Sequence, residues 1–354
     1  MLIDMRGSTS GIPGSVHPLD LGPSEVEGRL TVLEICAGAG GQSIGLERAG
    51  FDHAAAIEID PNACATLRLN RPRWDVRQVD VRTIDGRSFR GVDLVAGGVP
   101  CPPFSIAGKQ LGADDERDLF PEAIRLVRES APRAVMLENV RGFASPRFLD
   151  YRRELFNEFD RMGYDVFWRV LNASDFRVPQ LRPRFLLVAL HRHYTSDFRW
   201  PEPIVPSRTV GEAIGDLMGA QGWPGTTEWI RKASGVAPTI VGGSKKHGGP
   251  DLGPTRARRE WLKLGVDGRG IANAAPAADT PHSTLPRLTV RMVARLQGFP
   301  DNWIVSGGKT ASYRQVGNAF PPAVAAVVGR AIRDAITGAT DFSGQLRLRE
   351  AQAI

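Results

Sequence analysis

Three prolines surround a single cysteine in the segment VDLVAGGVPCPPFSIAGKQLG, where Pro100, Pro102 and Pro103 flank Cys101. The apolar run before it predicts a buried strand, and ligand sites in parallel sheets lie beyond the carboxyl ends of such strands. Proline restricts the backbone to extended conformations, which fixes the direction of the cysteine side chain. A cysteine that only packs in a core is usually surrounded by aliphatic residues. We therefore predict that Cys101 is a nucleophile, because the thiolate is the reactive form of cysteine.

Polar residues also lie at the ends of two later apolar runs. Glu138 is near the end of RAVMLENV, and PQLRPRF supplies Gln180, Arg182 and Arg184 around the start of RFLLVALH. Alternate residues of a strand share one face, so the two arginines can reach a single site. Taken singly, Glu138 is equally well explained by a salt bridge at a strand end, and the arginines by a solvated sheet edge. Together with Cys101 they favour one site at one edge of the sheet.

A glycine-rich turn follows the first apolar run. In EICAGAGGQSIGLERAGF, Gly38, Gly40 and Gly41 lie between a predicted strand and a predicted helix, where glycine lets the backbone turn sharply and approach a ligand. The helix N-terminus can accept an anionic group. Glu58 ends the next strand, as a ribose-binding carboxylate does, and Asp80 could accept from an adenine amino group. Proteins that bind NAD, FAD or S-adenosylmethionine all use versions of this pattern, and a tight turn without a ligand also fits it.

Strands alternate with helices along most of the chain. Apolar runs predict strands at 30–35, 53–59, 92–98, 133–140, 165–173 and 184–191, with a further short strand before Asp80. Helical spacing is found in PNACATLRLN, DLFPEAIRLVRES, RRELFNEFDRMG, LTVRMVARLQGF and PPAVAAVVGRAIRDAI. This alternation predicts an α/β fold with a mostly parallel sheet that is covered on both faces.

The character of the chain changes after the last predicted strand. Residues 194–286 are rich in Gly, Pro and Trp and show little periodicity, which predicts a separate, loop-rich lobe. Regular patterns return beyond it. We therefore predict a main α/β unit over 29–193, a return segment over 287–338 that completes it, and flexible tails over 1–28 and 339–354.

Composition limits the classes of function. The 354 residues include 42% hydrophobic residues, which is typical of a globular protein, and no apolar run approaches the roughly 20 residues of a membrane span. Three scattered cysteines predict neither a disulfide framework nor a zinc site, and we expect no metal. A net charge of +6 suits a polyanionic partner, although charge alone does not identify one.

The chain resembles the cytosine-C5 DNA methyltransferases. The matches follow the order of that family: the glycine loop, Glu58, Asp80, Pro100-Cys101, the ENV tripeptide at 138–140, the QLRPR segment, RLTVRMVARLQGFPDNW (287–303) and YRQVGNAFPPAVA (313–325). The resemblance implies a doubly wound, Rossmann-like methyltransferase sheet with a target-recognition domain inserted at 194–286. It also implies S-adenosylmethionine as methyl donor, duplex DNA as substrate, and transfer to C5 of a flipped cytosine through a covalent bond between cysteine and C6.

The resemblance implies roles for individual residues. Catalysis falls to Cys101, Glu138, Arg182 and Arg184. The cofactor is expected to contact Cys36, Ala37, Gly38, Ala39, Gly40, Gly41, Glu58, Ile59, Asp80, Val81, Pro100, Asn318 and Ala319. DNA is expected to contact Pro102, Ser105 and Gln180, together with the basic residues Lys245, Lys246, His247, Arg256, Arg258 and Arg259 of the inserted lobe, since basic side chains on loops can reach base edges.

Three positions depart from the usual pattern of the family. Cys36 stands in place of a phenylalanine, Ile59 in place of a bulky aromatic residue, and Pro102 in place of a glutamine. The first two affect the packing of the cofactor, and the third removes a side chain that often touches DNA. None of them deletes a reacting group. We further expect a monomeric bacterial protein of the cytoplasm, with a restriction endonuclease for the same site as a possible partner and no membrane association.

Three other functions fit part of the pattern. An RNA cytosine-C5 methyltransferase would share the architecture, although the sizeable insertion favours sequence-specific DNA binding. A dinucleotide-dependent oxidoreductase would explain the glycine loop and Glu58 but would leave Cys101 and the paired arginines without a role. A DNA-binding module without activity would not need Cys101 and Glu138.

Overall fold

The structure is a computed structural model that describes residues 30–100, 118–204, 206–243 and 249–338. Its seven strands form one sheet. The strands are β1 (Leu30–Ile35), β2 (Phe51–Glu58), β3 (Val76–Gln78), β4 (Leu94–Gly98), β5 (Ala134–Val140), β6 (Tyr164–Asn172) and β7 (Pro183–His191). Each predicted strand is therefore confirmed within a few residues.

The sheet has the order β3-β2-β1-β4-β5-β7-β6. The strands β3, β2, β1, β4 and β5 pair in parallel, and β7 is antiparallel to both of its neighbours, β5 and β6. The predicted α/β fold with a mostly parallel sheet is confirmed. Because β7 runs against β5, the first residues of β7 lie beside the last residues of β5, and Arg184 pairs with Val140.

Ten α-helices occur in the described parts of the chain. They are α1 (Gly41–Arg48), α2 (Pro61–Asn70), α3 (Phe120–Ser130), α4 (Leu149–Arg161), α5 (Val210–Met218), α6 (Thr226–Lys232), α7 (Thr255–Lys263), α8 (Val290–Leu296), α9 (Lys309–Asn318) and α10 (Pro322–Thr337). Helix α2 begins as predicted with proline in its first turn, and the Asp60 carboxylate caps it by accepting from the backbone N–H groups of Asn62 and Ala63.

Helices cover both faces of the sheet. Alternate residues of β1 point to opposite sides, so Val32 packs in a cluster with α1 and α10 whereas Leu33 packs with α3 and α4. The last helix lies directly on the first: a Cβ added to Gly45 of α1 would collide with Ala325 of α10. The two helices therefore approach this closely only because position 45 is a glycine. Helix α10 thus completes the helical layer to which α1 belongs.

Loops make up most of the inserted segment after β7, but three short helices, α5 to α7, lie within it. Thr209 and Glu212 form a reciprocal capping box at the start of α5, which is a local signal that composition does not reveal. Trp223, Trp229 and Trp261 are buried in one apolar cluster that continues into α2 and α8. The large aromatic residues that mark this segment in the sequence thus supply its core.

Asp267 joins the inserted segment to the start of the return segment. Its carboxylate accepts from Arg269 Nε and Arg287 Nε at 2.9 Å each, and these hydrogen bonds hold its pKa well below the ordinary range. Because the folded-state pKa is depressed, the stabilisation is present above the unfolded pKa of about 3.9 and is lost as the pH falls through the folded value.

We expect Asp267→Asn to lower the free energy of unfolding at pH 7 by about 1–2 kcal/mol, a range that allows for the solvent exposure of both arginines. Urea titrations at pH 7 and near pH 3 measure it, and the difference from the unsubstituted protein should shrink at the lower pH. Asp279→Asn, at an exposed position, is the control. An equal loss in both variants would contradict this role of Asp267.

Candidate active site

Glu138 and Arg184 form the centre of the site. Glu138 lies near the carboxyl end of β5, Arg184 lies near the start of the antiparallel neighbour β7, and Arg184 Nε is 2.9 Å from Glu138 Oε1. Each side chain is only 13% exposed. Burial raises the pKa of Glu138 above its ordinary value, and the cations Arg184 and Arg182 oppose that rise. The sheet therefore brings together a carboxyl group whose pKa is raised by burial and a guanidinium group.

Arg182 is close to this pair but is bound by the protein itself. Its terminal nitrogens donate to the carbonyl oxygens of Ile240, Gly317 and Ala319 at 2.6, 3.0 and 2.9 Å. The side chain is almost completely buried. Arg182 thus joins the inserted segment to the end of α9, and its contacts differ from those of Arg184, although both arginines were expected to reach one ligand.

The Gln180 side chain lies inside the protein. Its side chain is completely buried, its Nε2 donates to Gln297 Oε1 at 2.7 Å, and its Oε1 accepts from Ile240 N at 2.9 Å. Both ends of the amide, which was predicted to contact DNA, are bonded inside the protein. Gln297, for which no role was predicted, also donates to the carbonyls of Val316 and Gly317. A glutamine directly after the apolar pattern of α8 was the available signal.

The described residues on both sides of the cysteine loop are held beside the pair. Asn139 Nδ2 donates to Val99 O at 2.8 Å, and Leu119 N donates to Pro100 O at 3.3 Å. A Cβ added to Gly98 would lie 3.2 Å from Glu138 Oε2. The chain thus leaves β4 next to Glu138, where Val99 N donates to Glu138 O at 3.2 Å, and it returns at Leu119 beside Pro100. The predicted site residues Cys101, Pro102 and Ser105 lie outside the described residues.

The glycine loop connects β1 to α1 through residues with left-handed backbone. Cys36, Gly38 and Gly40 have φ values of 52°, 57° and 87°. Glycine accepts this conformation at little cost, whereas Cys36 requires support from its surroundings. A Cβ added to Gly38 would meet no atom within 4 Å, and one added to Gly41 would collide with Phe320 O. The loop therefore has an open side at Gly38 and a packed side at Gly41.

Glu58 is the last residue of β2, and its side chain contacts the glycine loop. Its Oε2 accepts from Gly38 N at 2.8 Å, and its Oε1 accepts from the backbone N–H groups of Ile59 and Asp60 at 2.8 and 2.7 Å. A carboxylate can accept about four hydrogen bonds, so some acceptor capacity is left for a hydroxyl group of a ligand. Ile59 beside it is 64% exposed, which offers an apolar surface for a planar ring. These features fit an adenosyl group.

Asp80 shares this region with Glu58. It caps the turn at Val81–Thr83 by accepting from Arg82 N, and it pairs with the Arg82 guanidinium at 3.0 Å. Val81 is buried. Burial raises the pKa of the Cys36 thiol to about 12, and the charges of Glu58 and Asp80 add to that rise, so all three groups are neighbours. The structure therefore brings these predicted cofactor residues together.

The chain returns to the glycine loop after α9. Ala319 and Phe320 lie against Gly41, as the position of a Cβ added to Gly41 shows. Asn318 is exposed, and its Nδ2 donates to Gly243 O at 3.0 Å. Residues 318–320 thus connect the glycine loop with the inserted segment. Ala37 and Ala39 are buried within the loop.

The predicted DNA-binding residues of the inserted segment fall into two groups. Arg256, Arg258 and Arg259 lie on α7, where Arg256 and Arg259 are exposed and Arg258 is partly buried. Residues three apart on a helix share a face, so Arg256 and Arg259 can contact one polyanion. Lys245, Lys246 and His247 lie outside the described residues.

Within the described ranges, no group of three or more His, Cys, Asp or Glu residues is arranged to hold a metal ion. No helix in the same ranges is both long enough and apolar enough to cross a membrane.

Comparison with known proteins gives consistent results. Residues 30–334 match the family of C-5 cytosine-specific DNA methylases. The chain is 57% identical to the type II methyltransferase M.NaeI of Lentzea aerocolonigenes over 311 residues, which cover 87% of this chain and 75% of that protein. It is 54% identical to the type II methyltransferase M.NgoMIV of Neisseria gonorrhoeae over 312 residues, which cover 87% and 98% of the two chains.

Solved structures share the fold. A DNA modification methyltransferase encoded within a prophage of E. coli superposes with a TM-score of 0.61 at 26% identity and covers 87% of this chain and 99% of its own. Spodoptera frugiperda DNMT2 superposes with a TM-score of 0.62 over 86% and 99% of the two chains, and at 17% identity it shows the common fold alone.

The enzymes of this family use S-adenosylmethionine and a covalent cysteine intermediate. The fold, the glycine loop with Glu58, and the buried pair of Glu138 and Arg184 agree with that chemistry. The chain belongs to the C-5 cytosine-specific DNA methylases.

Proposed function

We propose that this enzyme methylates a cytosine within a specific duplex DNA sequence, with Cys101 as the nucleophile and Glu138 and Arg184 as the groups that hold the flipped base. The buried contact of 2.9 Å between Glu138 and Arg184 carries the proposal. It lies beside Gly98 and Asn139, and Asn139 fixes the chain at Val99, two residues before Cys101. A base that enters this edge would meet both polar groups and the thiol.

The other two cysteines are poor candidates for the nucleophile. Burial raises the pKa of Cys64 to about 11 and that of Cys36 to about 12. Cys64 is completely buried and donates to Glu58 O, and Cys36 is surrounded by carboxylates. A thiol in such surroundings forms little of the reactive thiolate. This leaves Cys101, next to Pro100 at the edge that holds Glu138.

The proposed reaction follows from these groups. The Cys101 thiolate adds to C6 of cytosine, and the electron pair of the C5–C6 double bond becomes available at C5. Glu138 in its neutral form donates its proton toward N3, which stabilises the charge that develops in the ring. Arg184 orients Glu138 and adds positive charge at the base. C5 would then take up the methyl group, and the donor would leave as a neutral thioether. The C5 proton passes to solvent, the bond between C6 and sulfur breaks to restore the Cys101 thiolate, and N3 returns its proton to the Glu138 carboxylate.

We assign the cofactor to the open side of the glycine loop. S-adenosylmethionine supplies an electrophilic methyl group on a sulfonium centre. Gly38 leaves room for close approach of the backbone, Glu58 accepts from the ribose hydroxyls, and Ile59 covers the adenine ring. Asp80 is assigned to accept from the adenine amino group. Pro100 and residues 318–319 complete the site from neighbouring loops.

Sequence recognition is assigned to the inserted lobe. Its exposed residues Arg256 and Arg259 lie on one face of α7, and the segment before that helix carries Lys245, Lys246 and His247. Arginine and lysine contact both phosphates and base edges, so this lobe supplies affinity as well as specificity. Flipping the base costs a few kcal/mol, which these contacts offset.

We expect Arg184→Ala to lower kcat about 100-fold while changing DNA affinity less than about threefold, because Glu138 would remain buried without its cation. Single-turnover methylation and filter binding measure the two effects. Arg192→Ala, at the far end of β7 in an exposed pair with Asp160, is the matched control and should retain activity. Loss of DNA affinity without loss of kcat would make Arg184 a phosphate-binding residue.

The proposed substrate can be tested directly. Tritium transfer from S-adenosylmethionine to duplex DNA and to tRNA is compared, and DNA from cells that express the chain is sequenced after bisulfite treatment. We expect methylation of DNA at one sequence. Transfer to tRNA alone would favour an RNA methyltransferase, and binding of NAD without S-adenosylmethionine would favour an oxidoreductase.

The relatives suggest the biological setting. Type II methyltransferases such as M.NaeI and M.NgoMIV lead us to propose that a restriction endonuclease for the same site accompanies this enzyme. Its substrate would then be the chromosome in the bacterial cytoplasm. We also propose that it acts as a monomer, because one chain contains every group of the proposed site.

A further inference from the structure

Trp303 lies behind the glycine loop. It belongs to the chain between α8 and α9, and its indole Nε1 donates to the carbonyl oxygen of Ala39 at 3.0 Å. The side chain is buried. A Cβ added to Gly40 would lie 2.7 Å from Trp303 Cζ2, so the ring occupies the space that any side chain at position 40 would need. The indole therefore fits closely against the loop through both a hydrogen bond and its surface.

Arg71 connects the same ring to the helix that follows the loop. Its guanidinium carbon lies 5.2 Å from the centre of the Trp303 ring and 5.7 Å from that of Trp74. Arg71 also makes two hydrogen bonds to the Glu47 carboxylate of α1, at 2.6 and 2.7 Å. A cation over an aromatic face is attractive, so this arrangement restrains the ring relative to α1.

Trp303 also borders a cavity. The cavity has a volume of about 330 Å³ and is also lined by Phe299, Pro300 and Val305. The hydrogen bond to Ala39 and the contact with Arg71 hold the indole beside this space.

The glycine loop is thus held from two directions. Glu58 accepts from Gly38 N on the side assigned to the cofactor, and Trp303 donates to Ala39 O from behind. We propose that Trp303 is a positioning residue for S-adenosylmethionine, which keeps the loop in the shape that binds the cofactor. This inference rests on the proposed assignment of the cofactor to the glycine loop.

The test compares two tryptophan substitutions in the full-length enzyme. Trp303→Phe keeps an aromatic ring and removes the hydrogen bond to Ala39. Trp229→Phe removes an equivalent buried hydrogen bond, from Trp229 Nε1 to Gly265 O at 2.9 Å, within the inserted lobe. Calorimetry gives the Kd of S-adenosylhomocysteine, and steady-state assays give kcat with the KM values for S-adenosylmethionine and DNA.

We expect Trp303→Phe to raise the Kd and the KM of the cofactor about three- to tenfold, because Ala39 O loses its partner and the loop loses a restraint. The kcat and the KM for DNA should stay within about twofold, since the substitution affects binding of ground state and transition state alike. Trp229→Phe should leave the Kd and the KM of the cofactor unchanged, even if it lowers the Tm as much as Trp303→Phe does. A purely structural role of Trp303 would not confine the effect to the Kd and the KM of the cofactor.

Glu58→Ala distinguishes failure of the proposed role of Trp303 from failure of the assignment of the cofactor to the glycine loop. If Glu58→Ala abolishes cofactor binding while both tryptophan variants bind like the unsubstituted enzyme, the role of Trp303 is refuted and the loop assignment stands. If Glu58→Ala binds normally, the assignment of the glycine loop fails and the inference with it.

Should Trp303→Phe not fold, Arg71→Met provides a second test, since it removes the cation at the ring and keeps an aliphatic chain. We expect it to raise the cofactor Kd about two- to threefold. An unchanged Kd would overturn the proposal.

Discussion

Cys101→Ser should reduce methyl transfer to duplex DNA by about 10⁴-fold or more, because a serine hydroxyl does not ionise as a thiol does and cannot replace it in the addition to C6. Tritium transfer under single-turnover conditions measures the loss. Binding of DNA and of S-adenosylhomocysteine should be retained, since the substitution changes one atom. Duplex DNA that carries 5-fluorocytosine should form an adduct with the unsubstituted enzyme that survives denaturing electrophoresis, and none with the variant.

Cys64→Ala is the matched control for this experiment. Its thiol is buried and donates only to Glu58 O among the contacts described for it, and burial raises its pKa to about 11. Activity and adduct formation should therefore persist in the control. Retention of more than a few per cent of the activity by Cys101→Ser, or loss of the adduct in Cys64→Ala, would mean that the nucleophile has been assigned to the wrong residue.

Glu138→Gln should lower kcat about 10²- to 10³-fold with little effect on DNA affinity. Glutamine keeps the shape of the side chain and can still accept from Arg184, but it cannot deliver a proton to N3 of the base. The expected loss is therefore confined to the chemical step. Rapid-quench measurement of a single turnover, with DNA and cofactor saturating, isolates that step from binding and product release.

The pH profile provides a second measurement of the same role. Burial raises the pKa of Glu138, so the neutral acid persists to higher pH than in an exposed carboxyl group. As the pH rises through that value, the proton is lost and kcat should fall. The glutamine variant should lack this decline. Glu158→Gln, at a partly exposed position on α4, should keep both the rate and the profile of the unsubstituted enzyme. A decline that survives in Glu138→Gln would assign it to another group.

The strands could be predicted because each is a short apolar run that ends at a polar or glycine-rich turn. β1 has the predicted bounds of 30–35, and α2 begins at its proline as predicted. The reversed direction of β7 could not be predicted from such runs, since apolar patterning does not encode strand direction. That reversal places Arg184 beside Glu138, and the apolar patterning gives no indication of it.

The polar residues of the QLRPR segment show where sequence patterns are insufficient. Gln180, Arg182 and Arg184 alternate along one extended stretch and were expected to act on a ligand. Only Arg184 pairs with Glu138, whereas Gln180 is completely buried and Arg182 donates to three backbone carbonyls. The groups that bind them come from the inserted segment and from α9, which are distant in sequence. No local pattern could indicate those partners.

The packing of α10 on α1 bears on how the protein is made. During synthesis, the apolar face of α1 emerges from the ribosome about 290 residues before the end of α10, and translation at roughly 5–20 residues per second separates the two events by about 15–60 s. For that interval a nascent chain exposes an apolar surface, and it cannot yet methylate DNA. Gly45 and Ala325, which set the closeness of the two helices, would then govern the final step of maturation.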